Sequence, residues 1–190
     1  MAWPRPAGTG REMKHPLSHD VVVESIRRLA QVDADVARAL ERVGYPAPRH
    51  REPGFATLMR IMVAQQLSTK SAAAIWARLE AACGPAVTAA RVLELDEAAF
   101  RTIGFSRQKT AYGRSLAEAV AGGMLDLDAL ATVPEEEAIA AISALRGFGR
   151  WSAEIYLLFA LGRPDSFPAD DLGLQAGMQK LKGLETRPTR

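Results

Sequence analysis

Apolar side chains recur at three- and four-residue spacings along most of the chain. From Ser18, Val22, Ile26 and Leu29 and then Val36, Ala39, Leu40 and Val43 keep a helical period until Gly44 stops it. The connector YPAPRHREPG follows, too rich in proline for regular structure. Phe55, Leu58, Met59, Met62 and Val63 form the next stripe, in which Met59 and Met62 read as core. Ile75, Leu79 and Ala82 form another, behind a cap at Ser68 or Thr69. Short helices are predicted over 87–93 and 97–102, and a longer one runs from a cap at Ser106 to Gly122-Gly123. Thr132-Val133-Pro134 followed by Glu135, Glu136 and Glu137 predicts a helix over 135–145. Proline suits its first position, and three acids face its positive end. An apolar helix is predicted over 151–161, and another begins at Leu172. No segment alternates with period two for long, so the expected fold is all-α.

Composition supports this. Among 190 residues, 34 are alanine and only 6% are aromatic, which favours tightly packed helices. The length suits one domain or two small lobes sharing a core. Residues 1–17, with Pro4, Pro6 and Pro16 and no period, read as a flexible arm before a helical domain over 18–190. A net charge of +2 is too small to imply a nucleic-acid partner, so that inference must come from local placement. The single cysteine, Cys83, excludes an internal disulfide, a Cys-rich zinc site and a four-cysteine iron–sulfur cluster. His15, His19 and His50 all precede Arg51, so acid–base chemistry beyond that point falls to carboxylates, lysine or tyrosine. No apolar run approaches the roughly 20 residues that span a bilayer. The N-terminus lacks the apolar stretch of a secretory signal. The chain reads as reducing, intracellular and cytoplasmic.

Local chemistry concentrates in two places. Arg146-Gly147-Phe148-Gly149 joins two predicted helices, and a Gly-x-Gly bend lets the backbone approach another surface with its N–H groups outward. The next helix starts there, so its free amides and positive dipole point the same way, with Arg146 and Arg150 alongside. Such a bend can hold a phosphate without reading sequence; it can equally be a tight helix–helix corner. Asp170 and Asp171 follow a Pro168 turn, where either carboxylate can cap the helix from Leu172. Arg101, Arg107, Lys109 and Arg114 form a strip without an acid, suited to a phosphate backbone or to a solvated helix face.

Four ordered motifs carry a resemblance. They are Ala64-Gln65-Gln66-Leu67-Ser68, Gly104-Phe105-Ser106 with Lys109, Leu145-Arg146-Gly147-Phe148-Gly149-Arg150-Trp151-Ser152-Ala153, and Asp165-Ser166-Phe167-Pro168-Ala169-Asp170-Asp171-Leu172-Gly173-Leu174. Over about residues 20–180 the chain resembles the helix-hairpin-helix DNA glycosylases, and within them the DNA-3-methyladenine glycosylase II family. Arg146 for the family's proline and Ser152 for its threonine are mild departures. The resemblance implies two helical lobes with a central cleft and a glycosylase of base excision repair that flips an alkylated purine from duplex DNA and hydrolyses its glycosidic bond. Asp171 would be the catalytic carboxylate, with Asp170 the competing candidate. Leaving-group departure makes the sugar cationic, and a fixed carboxylate stabilises it or orients water. Trp151 occupies the position where strand-cutting members carry a nucleophilic lysine, which implies a monofunctional enzyme.

Trp151 and Gln65 would line the base pocket, and a flat indole suits an electron-poor alkylated purine; a core anchor is the other reading of Trp151. Gln66 or Leu67 would plug the gap left by the flipped nucleotide. Gly147, Gly149, Arg150, Ser152, Arg107 and Lys109 would meet DNA. No organic cofactor and no side-chain metal site are expected; a sodium or potassium ion on hairpin carbonyls is a family feature. The expected partner is double-stranded DNA carrying alkylated bases, and the expected state is a monomer. The chain ends 19 residues after Asp171, so the family's last helices are expected to be missing. The rival readings are a noncatalytic damage-binding module and an oxidised-purine glycosylase/lyase.

Overall fold

The computed structural model describes residues 17–47 and 49–189; most of the arm expected over 1–17, and His15 with it, lies outside them. The described residues form helices without a strand: α1 (His19–Val32), α2 (Ala34–Val43), α3 (Phe55–Ala64), α4 (Thr69–Cys83), α5 (Ala89–Glu94), α6 (Glu97–Ile103), α7 (Arg107–Ala121), α8 (Glu135–Ser143), α9 (Arg150–Phe159) and α10 (Leu172–Lys182), with a 3-10 turn at Ala129–Ala131.

Most predicted boundaries hold within two residues because their caps are local. Ser68 accepts the Ser71 amide, Asp96 that of Ala99 and Ser106 that of Lys109, each satisfying a donor that a helix start leaves open. The first predicted helix is two. Asp33 adopts an extended conformation and accepts the amides of Asp35 and Val36, so it ends α1 and caps α2. Pro134 sits one residue earlier than expected, as the extended residue before α8 (ψ 153°).

Two layers emerge. Among the described residues every buried hydrophobic side chain except Pro168 lies between Phe55 and Ala160, in the lobe built from α3–α9. Leu58, Met59, Met62, Leu79, Phe100, Leu116, Ile142 and Leu157 are its inaccessible centre, and Met59 and Met62 are core as expected. Met59 and Met62 reach α7 at Gly113, where a β-carbon would already touch both. Tyr156 of α9, also buried, accepts the Gly54 amide at 2.9 Å, fastening the connector to this lobe. The second layer is α1, α2 and α10, none of which buries a residue. Lys182 near the end of α10 donates to Asp33 at 2.6 Å and to Asp35 at 2.9 Å, tying the last helix to the start of α2. Among the described residues no helix is long and apolar enough to cross a membrane.

Candidate active site at the seam between the layers

A cleft of about 660 Å³ opens where the two layers meet. Its walls come from four places: the turn after α3, the first turns of α7, the bend before α9, and the start of α10.

The bend is fixed by packing. Gly147 has φ +87°, and a β-carbon there would lie 2.2 Å from the Tyr112 ring of α7. Both the backbone conformation and the stacked ring therefore require glycine. Gly149 is extended (φ −113°), has no such neighbour, and precedes α9 without a side-chain cap. The first amides of α9 thus have no side-chain cap, at the positive end of the helix dipole.

The approach to α10 is equally constrained. Arg163 donates to the carbonyls of Leu130 and Val133 at 2.7 and 2.6 Å, the buried Pro168 accepts the Asp171 amide at 2.9 Å, and Gln175 returns to the Ala169 carbonyl. This loop delivers Asp171 as the N-cap of α10. Its Oδ1 accepts the Leu174 amide at 2.8 Å, and its Oδ2 accepts the indole N–H of Trp151, also at 2.8 Å. Both oxygens are aimed by rigid elements, and the residue is half-buried in the cleft wall. Asp170 lines the same cleft and is exposed. Trp151 packs one face on the core and lines the cleft with the rest.

Opposite stands the turn after α3. Gln65 donates through Nε2 to the Gly147 carbonyl and to Ser152 Oγ, both at 3.0 Å. Gln66 takes φ +58°, alone among the described non-glycine residues in having a positive φ. Gln66 and Leu67 are exposed at the cleft.

Three residues expected at DNA have other placements. Ser152 is buried under Gln65, so its hydroxyl orients that amide instead of meeting phosphate. Arg150 pairs with Glu136 through both terminal nitrogens and with Glu154 at 3.4 Å, so two carboxylates already engage its charge. Lys109 sends its ammonium inward, to Val63 O at 2.5 Å and Gln65 O at 2.9 Å, and burial pushes its pKa below the usual lysine range. Arg107 remains exposed beside the cleft-lining Ser106 and Gln108. Tyr112 and Gln108, which donates to the Tyr112 hydroxyl, are cleft residues that the sequence reading missed. The aromatic four residues after Gln108 was the available signal.

No cluster of three or more His, Cys, Asp or Glu among the described residues could hold a metal. Of the bend's carbonyls, Gly147 O accepts Gln65 and Leu145 O accepts the Phe148 amide, which leaves each a second lone pair.

Residues 59–190 match the model of the HhH-GPD superfamily of base excision DNA repair proteins, which is most of the chain. The chain belongs to this superfamily. Its fold superposes on a solved 3-methyladenine DNA glycosylase of Schizosaccharomyces pombe in complex with abasic DNA. The TM-score is 0.81 and the identity 31%, covering 87% of this chain and 84% of that one. A DNA-3-methyladenine glycosidase of Bacillus halodurans gives a TM-score of 0.69 at 33% identity, over 85% of this chain and 73% of that one. In sequence, the chain is 32% identical over 169 residues to DNA-3-methyladenine glycosylase 1 of S. pombe, covering 85% of this HhH-GPD chain and 74% of the relative.

Proposed function

We propose that this HhH-GPD protein is a monofunctional DNA glycosylase that extrudes an alkylated purine into the cleft and hydrolyses its glycosidic bond. The observation that carries the proposal is the Asp171 carboxylate, held by one helix N-terminus and one indole N–H in the wall of a cleft bounded by the glycine bend. Two of its roughly four acceptor positions are used, so lone pairs remain for the sugar or for water. As the base departs, positive charge grows on the sugar, and a preorganised carboxylate beside it costs no reorientation. A purine alkylated on a ring nitrogen is already cationic and leaves without strong acid help, in keeping with a cleft that no histidine among the described residues lines. The Trp151 ring offers it a stacking wall by cation–π attraction. Indole also cannot form the imine that strand cleavage requires.

The bend before α9 would take DNA phosphate on its backbone amides, with Arg107 following the backbone nearby. A monovalent cation on the bend's carbonyls is compatible with their remaining lone pairs, and no step depends on it. The protein would act as a monomer on duplex DNA.

The direct test is release of free 3-methyladenine from methylated DNA. Asp171→Asn should lower the single-turnover rate by at least about 100-fold, with DNA affinity largely retained. Borohydride should trap no covalent adduct. Base release unaffected by Asp171→Asn, or a trapped adduct, would overturn the assignment; binding without any release would favour a damage-binding module.

A further inference from the structure

We propose that Lys109 is a positioning residue, whose ammonium clamps the end of α3 and so holds the Gln65–Leu67 turn in the shape that enters the DNA stack. The inference rests on the proposed function in taking that turn to face the gap left by an extruded nucleotide.

A helix end leaves its last carbonyls without intrahelical partners, and many helices close them with a left-handed glycine. Helix α3 has none. It leaves through Gln65 in an extended conformation (φ −53°, ψ 129°) and then Gln66 at φ +58°, a region that costs an L residue about 1 kcal/mol or more. Local hydrogen bonds cover two carbonyls: Gln65 donates its amide to Met62 O and Leu67 donates its own to Ala64 O, at 3.3 and 3.2 Å. Lys109 takes the Val63 carbonyl beside them and also that of Gln65, which lies beyond the helix. The Gln65 side chain meanwhile grips the Gly147 carbonyl and Ser152. The turn is therefore anchored on one side by α7, 44 residues away, and on the other by the bend, 82 residues away. Only Gln66 and Leu67 are left projecting. A lysine serving a phosphate would hold its ammonium in solvent; this one is half-buried, its charge met by two carbonyls at the negative end of α3.

The test uses the full chain and a duplex with a tetrahydrofuran abasic analogue opposite 2-aminopurine, whose fluorescence reports entry of a side chain into the stack. Because the DNA has no base to release, the result stands apart from the excision assay. Wild type should change the fluorescence on binding. Lys109→Met should lose most of that change and weaken binding by about tenfold, the worth of a charged hydrogen bond. Lys109→Arg, which can still reach carbonyls with a fixed charge, should recover much of both. Lys109→Gln should fall between them and serves if the methionine variant does not fold. The proposal is overturned if folded Lys109→Met or Lys109→Gln keeps the full fluorescence change, or if Lys109→Arg recovers none of it. It is also overturned if the loss is a smaller salt dependence of binding with the fluorescence intact, the mark of a phosphate contact.

Discussion

The α3–α9 lobe and the α1/α2/α10 layer are made of the same kind of amphipathic helix, yet only the lobe excludes water. In the lobe, Leu58, Met62 and Leu157 are wholly inaccessible; in the layer, Val32 and Val43 stand 83% and 78% exposed. The lobe is sealed by packing, whereas the layer packs openly and its last helix is pinned by the ion pairs from Lys182 to Asp33 and Asp35. The difference teaches where the proposed catalytic carboxylate sits. Asp171 belongs to the layer by chain position but is fixed from the lobe by Trp151, so the proposed reactive group lies on the line where the sealed lobe meets the open layer.

Five substitutions break or sharpen that contrast. The largest effect is expected for Met62→Ala in the lobe, which should cost about 2–5 kcal/mol by leaving a cavity against α7, whereas Leu29→Ala in the layer should cost under about 1 kcal/mol. Chemical denaturation of both variants checks the pair, and similar losses would erase the distinction. Gly147→Ala drives a β-carbon into the Tyr112 ring at a positive φ. It should cost about 2–4 kcal/mol from backbone strain and overpacking together, and should weaken binding to undamaged duplex. Gly173→Ala should part activity from stability. Its β-carbon would lie 3.1 Å from Asp171 Oδ1, close enough to shift the carboxylate and slow base release by about tenfold, while alanine in α10 leaves the melting temperature unchanged or higher.

The smallest effect is expected at the clasp. The hydrogen bond from Lys182 holds the Asp33 carboxyl below the usual aspartate range. A depressed carboxyl stabilises the fold above its unfolded value and ceases to do so as pH falls through the lowered one. Lys182→Met should therefore melt slightly below wild type at neutral pH and together with it in acid, as followed by circular dichroism.

What was legible in the sequence was whatever a few neighbouring residues decide. The caps at Ser68 and Ser106 satisfy amides three residues on, so periodicity and cap chemistry located these helices. The α1–α2 break was not legible, because apolar spacing runs on past Asp33 and only its carboxylate interrupts the backbone. The bend and Asp171 were found through motif order, but the indole bond between Trp151 and Asp171 spans 20 residues and no spacing rule predicts it. The basic residues were least legible. Lys109 and Arg150 look alike in sequence as phosphate ligands, and only folding reveals that carbonyls take one and carboxylates the other.

The indole–carboxylate bond has a mechanical side. Trp151 rides in the first turn of α9 and Asp171 sits at the tip of α10, so one N–H···O link joins the two helices at the cleft. A ligand wedged against the indole must push on the carboxylate as well, and the aim of the oxygens then varies with the thickness of whatever lies beside the ring. Under the proposed function such a wall would gauge its guest: a base that fits would leave the acid pointing at the sugar, and one that overfills the gap would turn it aside.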